Sequence, residues 1–218
     1  MERFFILGKY NTWYNWRLIL TAKDITPPEP KTNYVNLDGM NGTLDLSESL
    51  TGEVTYQDRT ITASFWTDEG SYRDREILLH EIVTSLHGKK IRIVEPDDPD
   101  RYFFGRVKIK SRKNTLAYAE FTIEAVCDPW RYSVCETLRT VAVESQNATD
   151  LVIRNNGVKT LCPVITVKGS VNLGYNGVTT PLISGDYKIS TLKLYRGVNV
   201  VSVSGNGSIT FSYTEADL

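Results

Sequence analysis

Only one stretch of this 218-residue chain has the apolar spacing of an amphipathic helix. The rarity of this helical spacing constrains the fold more than any other feature of the sequence. The stretch runs from Ser71 to Gly88, and its apolar residues recur three and four positions apart: Leu78, Leu79, Ile82, Val83 and Leu86. Ser71 is a residue type that caps helix starts, and Gly88 suits the left-handed turn that ends a helix. The pattern predicts one helix, with an apolar stripe that packs against a sheet.

The rest of the first half alternates apolar and polar residues, with many β-branched and aromatic side chains, which is typical of strands. Strands are predicted at 16–21, 52–66, 90–94, 102–110 and 116–126. Residues 57–59 predict a bulge or a tight turn within the second of these strands. Segment 26–30 contains three prolines, which cannot donate ladder hydrogen bonds, so we expect an extended connection there. Segment 95–100 predicts an acidic hairpin tip.

The second half, from about residue 134 to residue 218, has no helical period and contains many short, evenly spaced strand patterns. Asn-Gly dipeptides at 156–157, 176–177 and 206–207 are predicted to supply positive-φ turns between these strands. This pattern is typical of a β-sandwich. We therefore predict a mainly β fold with two domains. An α+β N-terminal domain over 1–133 has one helix packed on a β-sandwich that carries a β-hairpin, and a C-terminal β-sandwich spans 134–218.

Charge and cysteine content argue against several classes of protein. Lys and Arg number 25 and Asp and Glu number 26, a net charge of -1, which argues against the broad basic surface of a non-specific nucleic-acid binder. No segment approaches the roughly 20 apolar residues of a membrane span, so no membrane contact is expected. Three cysteines are too few for a disulfide framework, which indicates synthesis in a reducing compartment.

No set of residues completes a catalytic or metal site in the sequence. His80 and His87 are too far apart on the helix to bind one metal ion unaided, and Cys127 and Cys135 lack the further Cys or His pair of a zinc site. Four carboxylates crowd the predicted hairpin tip: Glu95, Asp97, Asp98 and Asp100. They lack the spacing and the central glycine of a calcium loop, so a solvated tip is preferred. We predict no cofactor, no metal and no enzyme activity. A hydrolase stays an open alternative, because a triad assembled in space gives little sequence warning.

One basic run places Arg106, Lys108 and Lys110 on a single face of a predicted strand. Such a face would suit an acidic partner or nucleic acid. The preferred alternative is a solvated strand face, or a set of lysines that protects an open sheet edge.

The stretch YVNLDGMNGTLDLSESLTG, residues 34–52, contains two successive turn signals, at 38–39 and at 41–42. Glycine turns let a backbone approach a ligand closely, but nothing nearby completes a ligand site. Leu44 and Leu46 are expected to return the chain to the sheet. The sequence leaves two interpretations of this turn open: it holds a ligand, or it holds another copy of the chain.

Several motifs follow one another in a fixed order over about residues 4–132. They are WRLIL (16–20), PPEPK (27–31), VNLDGMNGTLDLSE (35–48), RTITASF (59–65), LHGKK (86–90) and, after Asp97 and Asp98, YFFGR (102–106). This ordered series resembles the distal tail protein (Dit) family of long-tailed phages and prophages. Residues 194–213 look like the C-terminal galectin-like sandwich of that family.

The resemblance implies a structural tail protein and not an enzyme. Copies would assemble into a hexameric ring at the tail tip, between the tail tube protein above and a tail hub, fibre or lysin protein below, with a channel for DNA. The protein would be made in the host cytoplasm and would become part of the virion. Some family members carry host-binding arms, but here the C-terminal domain has only about 85 residues, close to the minimum for a sandwich.

The resemblance also implies that the 34–52 turn shapes a contact between subunits. The predicted interface residues are Leu37, Asp38, Gly39, Met40, Asn41, Gly42 and Leu44. The basic face of Arg106, Lys108 and Lys110 would then face the channel or a partner. The alternative function is a carbohydrate-binding module or adhesin that recognises the host surface. Its candidate stacking rings are Tyr175, Tyr187, Tyr195 and Tyr213.

Overall fold

The computed structural model describes residues 4–218, which divide into two compact units. The first unit comprises residues 4–131 together with Leu218, and the second is Tyr132–Asp217. Each unit buries its own cluster of apolar side chains. Antiparallel strands dominate both units, so the mainly β fold predicted from the alternating pattern is confirmed.

The first unit forms one large sheet and one small ladder. Its elements are β1 (Ile6–Leu7), β2 (Tyr10–Asn11), α1 (Thr12–Trp16), β3 (Ile19–Ile25), β4 (Tyr34–Val35), β5 (Leu44–Asp45), β6 (Arg59–Thr67), α2 (Tyr72–Leu86), β7 (Lys90–Glu95), β8 (Asp98–Asn114), β9 (Ala119–Cys127) and the start of β10 (Arg131–Ser133). Within residues 4–131 the large sheet has the order β2-β1-β7-β8-β9-β6-β3, and β4 pairs with β5 separately. The core of this unit includes Phe5, Phe65, Phe103 and Phe121.

Helix α2 is the helix that the sequence predicts. The Ser71 side chain accepts a hydrogen bond from the Asp74 backbone N–H at 3.3 Å, and the Asp74 carboxylate accepts one from the Ser71 N–H at 2.9 Å. Gly88, at φ 78°, follows the last turn. The buried residues of the helix are Arg75, Leu79, Ile82 and Leu86. The buried stripe is therefore rotated from the predicted one, because Leu78 and Val83 are only partly buried.

Helix α2 lies along the second half of β8. The ladder between β7 and β8 ends at Lys90. Beyond that point, His87 Nδ1 accepts a hydrogen bond from the Ile109 N–H at 3.1 Å, and near the helix start Asn114 Nδ2 donates to the Tyr72 carbonyl at 2.9 Å. The helix thus covers a strand edge that would otherwise be open to solvent and to other strands.

Helix α1 lies where the sequence predicted the start of a strand. The Asn11 side chain accepts hydrogen bonds from the backbone N–H groups of Trp13 and Tyr14, both at 3.0 Å, and Arg17 at φ 52° ends the helix. Strand β3 therefore begins only at Ile19. The prediction of a strand from residue 16 is wrong, because this local capping turns the chain first.

Two other predicted boundaries are also wrong. The strand predicted over 52–66 starts only at Arg59. Strand β7 ends at Glu95 and β8 begins at Asp98, so the hairpin tip is reduced to Pro96 and Asp97. Glu95 is buried and its carboxylate is bonded to a lysine, so the prediction of a solvated tip is wrong for this residue.

The second unit is a curled sheet built around one long strand. Its elements are β11 (Thr137–Val143), β12 (Thr149–Asn155), β13 (Val164–Tyr175), β14 (Val178–Tyr187), β15 (Gly197–Tyr213) and β16 (Ala216–Asp217). Along one side of β15, residues 197–203 pair with β12 and residues 207–213 pair with β11. The other side pairs with β13, which in turn pairs with β14. The enclosed core includes Ile165, Leu194 and Phe211.

The three Asn-Gly dipeptides of this unit adopt different conformations. Asn176 and Gly177 form the predicted turn between β13 and β14, at φ 50° and 77°. The dipeptide at 206–207 lies inside β15, where strand pairing on both sides overrides its turn propensity, so that prediction is wrong. Gly157 does not have the predicted positive φ. A Cβ added there would lie 2.6 Å from the Ala216 carbonyl oxygen, so glycine is needed for close packing.

Candidate functional site

A long arm, defined as residues 26–58, leaves the large sheet between β3 and β6. Backbone hydrogen bonds join its two legs: the Lys31 N–H donates to the Thr55 carbonyl and the Gln57 N–H donates to the Glu29 carbonyl, both at 2.8 Å. The pairing of β4 with β5 continues this ribbon. No residue of the arm is buried. An isolated two-stranded ribbon is marginally stable at best in water. The arm is such a ribbon, and no core of its own supports it.

The tip of the arm contains every interface residue that the sequence predicts: Leu37, Asp38, Gly39, Met40, Asn41, Gly42 and Leu44. All of them are exposed. Gly39 and Gly42 have φ of 86° and 83°, in agreement with the two turn signals. Leu44 pairs with Val35 of β4, so the chain does not return to the large sheet at this point, and that expectation is wrong. The structure brings the predicted residues together, away from the core.

Large apolar side chains are exposed along the arm, and we call them the arm cluster: Tyr34, Leu37, Met40, Leu44, Leu50 and Val54. Leu50 is 98% exposed. Single exposed apolar residues are normal on a protein surface, but here six of them fall within one segment of 21 residues, from Tyr34 to Val54. The sequence interpretation missed Tyr34, Leu50 and Val54. These three side chains are exposed because the arm has no core of its own, and no local sequence pattern shows that absence.

Polar contacts order the tip in place of apolar packing. The Asp45 carboxylate accepts hydrogen bonds from the hydroxyl and, at 2.9 Å, from the backbone N–H of Ser47. The Ser47 hydroxyl oxygen also accepts one from the Asn33 N–H at 2.9 Å. The two hydrogen bonds from Ser47 hold the pKa of Asp45 below its usual range. The carboxylate therefore stays ionised at neutral pH and orients Ser47, whose hydroxyl oxygen ties the second leg to the first through Asn33.

Arg59, at the base of the arm, is a buried cation that the sequence did not single out. It is 4% exposed, and its guanidinium lies 5.3 Å from the centroid of the Phe103 ring. Its Nε and Nη2 atoms have no hydrogen-bond partner within residues 4–218. Burial, and then the charge of Arg131, lower the pKa of Arg59, although a guanidinium stays protonated. Tyr56 packs edge-on against Trp130 at 5.6 Å, so the base of the arm is anchored on β6 and on the segment after β9.

The acidic hairpin tip is an ion-pair site. Lys23 of β3 pairs with Glu95 of β7 and, at 2.7 Å, with Asp97. Burial would lower the pKa of Lys23, but the hydrogen bonds to Asp97 and Glu95 outweigh burial and raise that pKa above 10.5. Two carboxylates predicted to be solvated thus link the β7–β8 hairpin to β3.

The predicted basic face exists, since Arg106, Lys108 and Lys110 are exposed on one face of β8. Arg106 lies where β8 pairs with both β7 and β9, whereas Lys108 and Lys110 lie beyond the end of the β7 ladder, on the stretch of β8 that helix α2 covers. Arg106 Nη1 donates a hydrogen bond to the Gly88 carbonyl, and Lys110 Nζ lies 2.9 Å from a carboxylate oxygen of Glu124. The hydrogen bond from Lys110 lowers the pKa of Glu124. Two of the three cations are therefore already engaged.

A surface cavity of about 310 Å³ adjoins this face, lined by residues that include His87, Arg106, Lys108, Glu124 and Val126. The hydrogen bond from Ile109 already occupies one ring nitrogen of His87. Within residues 4–218, no group of three or more His, Cys, Asp or Glu side chains is placed to hold a metal ion. In the same range, no helix is long and apolar enough to cross a membrane.

The tyrosines suggested for sugar stacking have mostly structural contacts. Tyr213 is buried and donates to the Arg154 carbonyl at 2.6 Å, and Tyr187 donates to the Ile183 carbonyl at 2.9 Å. Tyr175 donates to the Lys193 carbonyl at 2.7 Å. Tyr195 is exposed. Three of the four rings are thus held by hydrogen bonds that serve the fold.

Comparison with known proteins gives the class first. A family model described as the phage tail protein RIFT-related domain matches residues 18–127, just over half of the chain, and includes the arm and the basic face. The chain therefore belongs to this family and is a phage tail protein.

A solved structure is similar in fold over nearly the whole chain. The chain is similar in fold to the SPP1 Dit protein, described as a paradigm of the hub adsorption apparatus in phages that infect Gram-positive bacteria. The TM-score is 0.71 at 13% sequence identity, and the match covers 97% of this chain and 98% of that chain. No curated protein matches the sequence. The resemblance to distal tail proteins that the ordered motifs indicated is confirmed.

Proposed function

We propose that this chain is the hub subunit at the tip of a phage tail. Its copies close a hexameric ring between the tail tube protein and a tail hub, fibre or lysin protein, and the ring leaves a channel for DNA. The subunit is made in the host cytoplasm and ends in the virion. Family membership supports the tail assignment, and the likeness in fold to a hub protein supports the position at the tip.

The observation that carries the proposal is the arm without a core. Fully burying a large apolar side chain stabilises a protein by about 1.5 to 3 kcal/mol, and the arm cluster gains little of this within its own chain. The backbone entropy of ordering the arm must still be offset. A second copy of the chain would supply the missing burial.

In the proposed ring, the arm of one copy contacts a different surface of the next copy. Contacts of this heterologous type produce rings when their rotation closes. In this assignment Leu37, Met40 and Leu44 contact the next subunit, and Asp38, Gly39, Asn41 and Gly42 shape the tip.

The basic face receives a secondary role in the proposal. Arg106 and Lys110 are engaged within the chain, which leaves Lys108 as the cation of this face without an ion pair or hydrogen bond inside residues 4–218. A strip for DNA phosphates needs several free cations. We therefore assign this face to contacts with tail proteins.

Native mass spectrometry of a variant with Leu37→Ser and Met40→Ser tests the proposal. The wild-type chain should form a hexamer, and the variant should stay monomeric with an unchanged circular dichroism spectrum. Ile183→Ser is the matched control, because Ile183 is 69% exposed but lies on β14 in the second unit. A variant that still forms hexamers, or a wild-type chain that stays monomeric beside its tail partners, would overturn the assignment.

A further inference from the structure

The chain contains four Asn-Gly dipeptides, at 41–42, 156–157, 176–177 and 206–207. In such a dipeptide the glycine backbone can react with the asparagine side chain. The backbone nitrogen of the glycine loses its proton and attacks the asparagine Cγ. A bond from this nitrogen to Cγ forms, the Cγ–Nδ2 bond breaks, and Nδ2 takes up one proton and leaves as ammonia. Water then opens the cyclic imide at either carbonyl and gives aspartate or isoaspartate. The attack requires the backbone after the asparagine to rotate, so the fold decides which pair reacts.

Two of the pairs are held against this rotation. Gly207 lies opposite Val143 of β11 and Gly169 of β13, inside the ladder on both sides. At 156–157 the attacking nitrogen is occupied, because the Gly157 N–H donates to Asn155 Oδ1 at 3.0 Å. The Asn156 amide is also held, since its Nδ2 donates to Glu215 at 3.0 Å. Reaction at either pair requires local unfolding of the second unit.

The pair at 176–177 is exposed but conformationally fixed. Asn176 is held at φ 50° in a two-residue turn, and the ladder closes directly beneath it at Tyr175 opposite Val178. A rotation there would break the hairpin. This pair is therefore a natural control, with the same sequence and exposure but little backbone freedom.

The pair at 41–42 has neither restraint. Asn41 and Gly42 are exposed, and neither the Asn41 amide nor the Gly42 N–H makes a hydrogen bond to any part of the chain that the structure describes. A Cβ added at Gly42 would meet nothing within 4 Å. The surrounding arm has no buried residue. We propose that Asn41 is a site of spontaneous deamidation in the unassembled chain.

The product would alter the tip. Aspartate adds a negative charge three positions from Asp38, and isoaspartate adds a methylene to the backbone between two glycine turns. If the proposed role of the arm holds, this change falls in the ring contact, and unassembled subunits lose the ability to assemble as they age. Assembly, in turn, would protect Asn41 by fixing the tip.

Peptide mass spectrometry, with isoaspartate methyltransferase labelling, tests the proposal on the purified full chain incubated at mildly alkaline pH. Asn41 should convert at least about tenfold faster than each of the other three asparagines, the ratio expected when their reaction needs about 1.4 kcal/mol of local opening. In urea the four rates should converge, and Asn41→Gln should abolish conversion at this position. Equal native rates at Asn41 and Asn176, or an Asn41 excess that persists in urea, would overturn the assignment. Comparison of rings with free subunits tests a separate point: unchanged conversion in rings would contradict the arm as ring contact and leave the deamidation site intact.

Discussion

The Nη2 atom of Arg75 lies 2.9 Å from the carbonyl oxygen of Leu116, which ties helix α2 to the turn between β8 and β9. The same guanidinium donates to the carbonyls of Thr115 at 3.0 Å and Gly70 at 2.6 Å. Arg75 is 3% exposed, and these three partners are neutral. A charged side chain thus lies on the buried face of the helix, where apolar residues are usual. It donates hydrogen bonds to carbonyl groups in two loops at once.

Replacing Arg75 with alanine should therefore be strongly destabilising. The loss leaves several carbonyls without partners and opens a cavity, so we expect about 3 kcal/mol or more of lost unfolding free energy. Urea unfolding followed by circular dichroism measures it. Arg73→Ala is the control, since Arg73 is exposed on the same helix and should change stability by less than about 0.5 kcal/mol. Equal effects from the two substitutions would contradict the role of Arg75 in joining helix α2 to the two loops.

The Lys23 ion pairs predict a dependence on alkaline pH. Because the folded-state pKa of Lys23 is raised above 10.5, its stabilising effect is fully present below that pH and is lost as the pH rises through the folded-state pKa. Lys23→Met should be less stable than wild type at neutral pH, and the difference should vanish well above pH 10.5. The control is Lys31→Met on the arm, which removes an exposed lysine. A difference that stays constant into strong alkali would show that packing, and not charge, accounts for the effect.

The cysteines should differ sharply in reactivity. Burial, and then the charge of Asp128, raise the pKa of Cys127 to about 12, so about one part in 10⁴ is thiolate at pH 8. Cys135 is exposed. A maleimide reagent at pH 8 should modify Cys135 in the native chain and reach Cys127 only after unfolding. In Cys135→Ser, fast native labelling at position 135 should disappear, the partly buried Cys162 is followed separately, and rapid labelling of Cys127 in that variant would contradict the burial argument.

The two tip glycines should matter for assembly more than for folding. Gly39 and Gly42 have positive φ, where valine is strained by about 1 to 2 kcal/mol per position. The arm has no buried residue, so the strain of a double valine variant should deform the tip and leave both cores intact. We expect a folded monomer by native mass spectrometry and circular dichroism. Thr43→Val, directly after the second turn, should still form rings, and intact rings in the double variant would refute the role of the tip.

Local signals explain what the sequence could predict. Helix α2 was predictable because its cap, its stripe and its closing glycine agree. Helix α1 carried a signal as well, Asn11 at its start, but five residues are too short to show a period. Gly39 and Gly42 marked the turns of the tip correctly, because glycine tolerates positive φ and both residues lie outside the β4–β5 ladder.

Features that depend on distant partners could not be predicted. The arm is held by pairs such as Lys31 with Thr55, whose positions no periodicity connects. The hydrogen bonds of Arg75 and the pairing of Lys23 with Glu95 could not be predicted for the same reason, because each links elements far apart in sequence. Turn propensity failed at 206–207 because Asn206 pairs with β13 and Gly207 pairs with both β11 and β13, and this ladder pairing is stronger than a two-residue preference.

Strand β15 also sets the order of events during synthesis. Strands β11, β12 and β13 all pair with Gly197–Tyr213, so none of them can complete its ladder until this late segment has left the ribosome. In the first unit, all seven strands of the path from β2 to β3 in the large sheet have been synthesised by Cys127. Translation should therefore release a folded first unit followed by a second unit that waits for its central strand. During that interval the apolar faces of the waiting strands are accessible to chaperones, and slower translation after residue 190 would lengthen the exposure.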